Sequence, residues 1–406
     1  MIPSGAMLPS TCVVVPTYWT RPGGAQEPGA AVYDHPTPID AQGTLEALLG
    51  SLSQLSPDFY LLVLVAVTSD DVAAAAETRV REMTARHPEL QALVFGREQC
   101  ECLYRSLDRQ HLALARDFLG LRRYPLIRNL QLAVPLSLGS KAIVALDDDE
   151  IVVDPAFLDK AVTLLGTREN EKRVDGVSGH YLQPDGGILL QVDPAKRSSD
   201  NLFDRKAQVM NEATEMLEEH PGLLVETPFC FGGNMEFTED LAASVGFDPG
   251  ITRGEDIDYL INARMGSRSF FLRKDLTILH CPPEGGSYKD TTTSKLEQDV
   301  IRFLYERQKI DVSQENRALH PVTAEELKPY PGEFLGRDVE EDAVEALSSA
   351  GFAGNAKDFV TTVNAEMPAR VDRYLSFREE WPRVTAAVRE SASLRDALLK
   401  QMSGSR

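Results

Sequence analysis

The chain has 406 residues, 43% of them hydrophobic, and a formal net charge of −20. That length suits one large domain with an appendage or two domains, and the acidity argues against nucleic acid or an anionic membrane surface as main partner. No apolar run approaches the roughly 20 residues of a membrane span. Met1-Ile-Pro-Ser-Gly5 lacks the basic and apolar parts of a secretion signal. The five scattered cysteines read as reduced thiols, so a cytoplasmic protein is expected.

In chain order, Cys12 to Val15 reads as the first strand, stopped by Pro16, with Thr17 and Tyr18 at its carboxyl end. Residues 20 to 42 are rich in glycine and proline and read as a long loop. Leu45, Leu48, Leu49, Leu52 and Leu55 mark a first helix, Leu61 to Val67 a second strand, and Thr68-Ser-Asp-Asp71 caps an alanine-rich helix. Ala92 to Phe95 is a third strand, and a helix beginning near Arg128 and Asn129 runs to Leu138. Then comes Ala142-Ile-Val-Ala-Leu-Asp-Asp-Asp-Glu150, five small or apolar residues running into four acids. The apolar part suits a strand buried on both faces of a parallel sheet, and the acids fall at its carboxyl end, where open α/β sheets bind ligands. Adjacent carboxylates repel unless a cation holds them, and a hard divalent metal is the natural one. Alternation puts Asp147 and Asp149 on one side, Asp148 and Glu150 on the other. A solvated acidic loop before the helix cap at Asp154-Pro155 is the plainer reading of the same stretch.

Further on, Val177 to Leu182 and Ile188 to Val192 around Asp185-Gly-Gly187 read as a hairpin. Lys206 to His220 and Glu239 to Val245 are helical, and Arg253-Gly-Glu-Asp-Ile-Asp258 opens a helix that Gly266 ends. Ser269 to Arg273 and Thr277 to His280 read as two strands, residues 281 to 293 as a mobile loop, and Ser294 to Gln308 as a helix. From about Glu340 the chain is helical, with a stripe of Val384, Val388, Ser391, Leu394, Leu398 and Met402 for packing on the main body, interrupted upstream by Pro382. The alternation of strands and helices predicts an α/β fold with a mostly parallel sheet. No Gly-x-Gly-x-x-Gly follows the first strand and no phosphate-loop motif is present, which argues against a dinucleotide dehydrogenase or P-loop enzyme.

Val13-Val-Val-Pro-Thr17, Thr68-Ser-Asp-Asp71, Arg128-Asn129, Leu146-Asp-Asp-Asp149, Phe231-Gly-Gly-Asn234, Gly246-Phe-Asp248, Gly254-Glu-Asp-Ile-Asp258 and His280 occur in that order. Together they resemble the GT-A glycosyltransferases, in particular the family 2 type, over roughly residues 11 to 282. The resemblance implies a Rossmann-like GT-A sheet flanked by helices in residues 1 to 310, with residues 311 to 406 as a mainly helical C-terminal extension on it. It implies a Mn2+ or Mg2+ ion, a UDP- or GDP-sugar donor and a hydroxyl acceptor, small molecule or glycan; a homo-oligomer is left open. Asp149 would be the main metal ligand, Asp147 would meet the ribose or the metal, and His280 would be a later ligand, suiting Mn2+ better than Ca2+. Pro16, Thr17 and Asp70 would border the base, with Arg128 and Asp148 beside the nucleotide sugar. Gly232 and Gly233 would let the sugar approach the backbone. Asp256, beside Glu255, would deprotonate the acceptor in an inverting transfer. The plain readings stay open: a packed histidine at a strand end, and acids favoured by a helix N-terminus.

Two departures stand out. Tyr18-Trp19-Thr20 and the long loop replace a direct entry into a helix, so Asp34 and His35 are expected to reshape the site. Glu284-Gly-Gly-Ser287 sits where such enzymes keep a closing loop. A retaining transferase making a small glycoside, a sugar-1-phosphate nucleotidyltransferase and a non-catalytic sugar-nucleotide-binding protein are the competing readings.

Overall fold

The computed structural model describes residues 8–24, 33–56, 58–194, 196–283 and 292–403. Its strands are β1 (Thr11–Thr20), β2 (Thr37–Pro38), β3 (Phe59–Val67), β4 (Ala92–Phe95), β5 (Ala142–Leu146), β6 (Glu150–Ile151), β7 (Arg168–Glu169), β8 (Lys172–Arg173), β9 (Gly176–Leu182), β10 (Leu224–Glu226), β11 (Asn234–Thr238) and β12 (Phe270–His280). The helices are α1 (Leu45–Leu52), α2 (Ala73–Ala85), α3 (Arg97–Asp108), α4 (Tyr124–Leu138), α5 (Phe157–Thr163), α6 (Lys206–Glu219), α7 (Glu239–Ser244), α8 (Glu255–Met265), α9 (Thr292–Glu315), α10 (Val339–Ser349), α11 (Ala356–Glu390) and α12 (Ala392–Ser403).

One large sheet runs β10-β12-β9-β11-β5-β1-β3-β4. The half β5-β1-β3-β4 is wholly parallel. Antiparallel β11 joins it to the parallel pair β9 and β12. Apolar side chains on both faces explain why these strands lie inside. Val13, Val15, Leu61 and Val63 pack under α1 and α2, and Cys12, Val14, Leu62 and Leu64 pack against α3 and α4 on the other side. The α/β architecture and the helical C-terminal region are those the resemblance implies.

Several local expectations change. β1 does not stop at Pro16: it stays paired with β3 as far as Trp19, while its pairing with β5 ends at Val14. A proline is tolerated on a strand with one open side. Ile188 to Val192 is not a strand. Both edges of β9 are taken by β11 and β12, and the Leu190 backbone is held instead by the Asn211 side chain. The two strands expected over 269–280 are one, β12, with a register shift between Leu272 and Thr277. Helix α3, with its buried stripe of Cys100, Leu103 and Leu107, was not expected.

The helix expected to end near Gln308 continues to Glu315, so α9 crosses residue 310. Pro382 does not interrupt α11, which spans 35 residues through both Pro368 and Pro382. A proline removes one rung of the helix ladder. Docking flanks the gap: Trp381 Nε1 donates to Ala242 O at 3.0 Å and Thr385 Oγ1 to Ala243 O at 2.8 Å. The break in the C-terminal stripe comes at Ser391, between α11 and α12, and Val384, Val388, Leu394, Leu398 and Met402 are all buried. All five cysteines are free. Among the described residues no helix is long and apolar enough to cross a membrane. Glu284 to Ser287, the expected closing loop, lies outside the described residues.

Candidate active site

β5 ends at Leu146, and the chain turns through Asp147, Asp148 and Asp149 before Glu150 and Ile151 pair antiparallel with β12. The register of that short pairing sets Glu150 opposite His280. It brings Asp149 Oδ2 to 3.4 Å from His280 Nε2, and the Cys281 N–H donates to Asp149 O at 2.7 Å. The imidazole is held from behind: Tyr181 stacks on it with ring centroids 4.9 Å apart, and Phe231 stacks on Tyr181 at 4.8 Å.

The other acids of the run go elsewhere. Asp147 is gripped in a fork by Arg128, Nη1 to Oδ1 at 2.9 Å and Nη2 to Oδ2 at 3.2 Å, so it faces the guanidinium rather than the Asp149–His280 pair. Arg128 also donates from Nε to Glu255 Oε1 at 3.2 Å. Burial alone would lower the guanidinium's pKa, but Asp147 and Glu255 more than offset it and keep it charged. Asp148 turns inward and accepts from Thr17 Oγ1 at 2.6 Å. Burial, and next the charge of Asp149, push its carboxyl well above the usual range. Glu150 is fully buried and accepts from the Asp147 N–H at 3.0 Å. Burial raises its carboxyl too.

A cavity of about 480 Å3 opens over these groups, lined among others by Tyr18, Arg128, Asp147, Asp149, Gly232, Glu255, Asp256 and His280. Asp256 enters it from the first turn of α8 and accepts the Ile257 N–H at 2.9 Å. Burial raises its carboxyl, against the opposing pull of that N–H, Arg128 and Arg302. Glu255 is raised for the same first reason. Three glycines are required. Gly254 caps α8 at φ +71°, and a Cβ there would lie 1.8 Å from Arg302 Nη1. A Cβ on Gly232 would lie 2.7 Å from Arg128 Nη2 and 3.4 Å from Asp256 Cβ. Gly233 has a different reason: a Cβ would strike Glu150 and Tyr181, whose hydroxyl accepts the Gly233 N–H at 2.6 Å.

The fold therefore gathers Arg128, Asp147, Asp148, Asp149, Gly232, Glu255, Asp256 and His280 around one cavity. Thr17 lies beneath it as the support of Asp148, and Pro16 and Asp70 are not among its lining residues. Asp70 opens the short helical turn that follows β3, exposed, 3.5 Å from Arg97 and 4.0 Å from Arg122. Asp34 and His35, from the long loop, do line the cavity. Residues not singled out in the sequence join them: Tyr124, Tyr181, Lys206, Arg253, Asp299, Arg302 and Tyr330. Arg253 stands one place before the Gly-Glu-Asp motif, which could have drawn attention to it; the others come from elements with no local signal. The hydroxyl of Tyr18 is buried and without a partner, close enough to Arg128 and Asp147 to feel both charges.

Other motif residues hold the scaffold. The Asn129 amide pins Phe247, donating to its carbonyl at 2.8 Å and accepting its N–H at 2.7 Å. Asp248 and Asp258 clasp the fully buried Lys309 of α9, at 2.5 and 2.7 Å, which ties α8 to the C-terminal helices. Among the described residues no three His, Cys, Asp or Glu side chains converge as a metal cage. The Asp149–His280 pair does suit an ion that takes one or two protein donors and completes its shell with ligand phosphates and water.

No family model and no curated protein matches the chain. Similar solved structures include the mannosyltransferase PcManGT from Pyrobaculum calidifontis in complex with GDP-Man and Mn2+, at 16% identity and a TM-score of 0.46, covering 99% of this chain and 89% of that one. GalNAc-T7 with UDP, GalNAc and Mn2+ is 11% identical with a TM-score of 0.38, over 86% of this chain and 58% of its own. TarS from S. aureus is 11% identical with a TM-score of 0.37, over 91% and 55%.

Proposed function

We propose that the protein is a metal-dependent glycosyltransferase that moves a sugar from a nucleoside-diphosphate sugar to a hydroxyl acceptor with inversion. The observation that carries this reading is the meeting of the Asp149–His280 pair and the carboxylate of Asp256 in one cavity. A Mn2+ or Mg2+ ion held by Asp149 and His280 would neutralise charge on the departing diphosphate. The chain's own groups do the rest. Arg128 fixes Asp147 and Glu255 on one rigid fork, and Gly232 leaves the space above it open. Asp256 takes the acceptor's hydroxyl proton on its carboxylate. The acceptor oxygen forms the new bond to the anomeric carbon as the carbon–oxygen bond to the diphosphate breaks, and its electron pair leaves with the diphosphate. The raised carboxyl of Asp256 makes it a better base than an exposed aspartate.

A screen of UDP-, GDP- and ADP-sugars for thermal stabilisation with Mn2+ tests the reading, because a ligand that binds the native state raises the melting temperature by mass action. One donor should stabilise the protein, EDTA should abolish the effect, and Asp149→Ala should lose it while the protein stays folded. No stabilisation by any donor, or an unchanged response in Asp149→Ala, would count against the assignment. Product stereochemistry by NMR separates inversion from retention.

A further inference from the structure

Beyond the metal-side acids, the cavity carries a second electrostatic group. Lys206 opens α6, Arg253 precedes α8 and Arg302 lies in α9, and all three line the cavity. Lys206 and Asp299 each feel Arg302 and Arg253 as well as one another. Asp148, Glu150 and Tyr181, by contrast, feel Asp147 and Asp149. Asp256 lines the same cavity and feels both Arg128 and Arg302.

Resting on the transferase reading above, we propose that this cationic wall is the acceptor subsite, and that the acceptor carries a carboxylate or phosphate beside the hydroxyl that Asp256 deprotonates. The internal partners leave positive charge over. Asp299 pairs with Lys206 and lies 3.5 Å from Arg302, and Asp34 lies 3.4 Å from Arg253. Arg302 is only 4% exposed, yet its Nε has no hydrogen-bond partner. Glu306, 3.8 Å from that Nε, is buried and pushed up to about 8, so near neutral pH it adds little counter-charge. That Nε is sealed off beside Glu306, so the attraction for an anion comes from three cavity-lining cations set against the two carboxylates of Asp299 and Asp34. The first turn of the 14-residue α6 also opens on the cavity through Lys206 and Ala207, adding the positive end of a helix. In a chain of net charge −20, an anionic acceptor needs such a local reversal of sign. A neutral polyol could accept hydrogen bonds here but would leave the excess positive charge uncompensated, so the site should favour an anion over it.

Calorimetry on the full chain tests this with inorganic phosphate and lactate as probes and glycerol as the neutral control, followed by separate titrations of GDP and UDP with Mn2+. At least one anion should bind at least tenfold more tightly than glycerol. Phosphate alone would indicate a phosphorylated acceptor, lactate alone a hydroxy acid. Lys206→Met and Arg253→Gln should each weaken anion binding at least tenfold, Arg253→Lys should restore part of it, and circular dichroism should show all three folded. Nucleoside diphosphate affinity should stay within about threefold of wild type in each variant. The acceptor assignment is overturned if neither anion outbinds glycerol, or if Arg253→Gln weakens the diphosphate as much as the anion, because the cations would then serve the donor. Anion binding with no binding of GDP or UDP would sink the transferase reading, and the acceptor role with it.

Discussion

Replacing Asp256 with Asn removes the proposed proton acceptor and little else. The Asn oxygen can still accept the Ile257 N–H that Asp256 accepts at 2.9 Å, and the side chain keeps its volume beside Gly232. A positioned general base supplies about 10^2 to 10^4 in rate, which is about 2.7 to 5.5 kcal/mol of barrier at 1.36 kcal/mol per decade. The loss should fall on transfer, with donor binding kept, since the donor diphosphate is assigned to the Asp149–His280 end. The pH profile carries the sharper signature. Asp256 acts only when ionised, and burial raises its carboxyl above the ordinary 3.8. Transfer should therefore fall on acidification through that raised value, and Asp256→Asn should lack this limb. Glu255→Gln is the internal contrast: its remaining oxygen can still accept from Arg128 Nε, so the limb should persist. The assay is nucleotide release coupled to acceptor consumption, run from about pH 5 to 9. Near-normal transfer by Asp256→Asn, or an unchanged acid limb, would refute the base assignment.

Gly232→Ala would put a methyl 2.7 Å from Arg128 Nη2. It should displace the fork from Asp147 and cost at least about tenfold in transfer while leaving the melting temperature near wild type, checked by kinetics and differential scanning fluorimetry. Lys309→Met would strand Asp248 and Asp258 in a site where the lysine is fully buried. Breaking such a pair costs about 3–5 kcal/mol, a large part of a domain's stability, and urea unfolding should show it as a lowered midpoint. Glu306→Gln concerns pH. The folded-state value of Glu306 is raised from 4.5 to about 8, so its contribution is complete below about pH 4.5 and is lost as pH rises through about 8. The variant should thus gain stability over wild type progressively across that window, read as a widening difference in melting temperature, and the two should converge at acid pH.

The sequence by itself determined the parallel half of the sheet, because apolar runs such as Leu61 to Val67 and Ala142 to Leu146 must be buried on both faces and helical patterns lie between them. Its ordered motifs, through the resemblance they carry, also singled out Asp149, His280, Asp256, Gly232 and Arg128. The residues of the acidic run alone did not tell Asp149 from its neighbours; only the resemblance set it apart. Alternation put Asp147 beside Asp149, but the turn after β5 and the pairing of β6 with β12 rotate the run, so Arg128 takes Asp147, Thr17 takes Asp148 and only Asp149 meets His280. Pairing between segments 130 residues apart, such as Glu150 with His280, leaves no local trace. The same holds for the cations. Lys206, Arg253 and Arg302 come from separate segments and meet only in the folded cavity, where the buried Lys309–Asp258 pair ties α9, which carries Arg302, to α8, which follows Arg253.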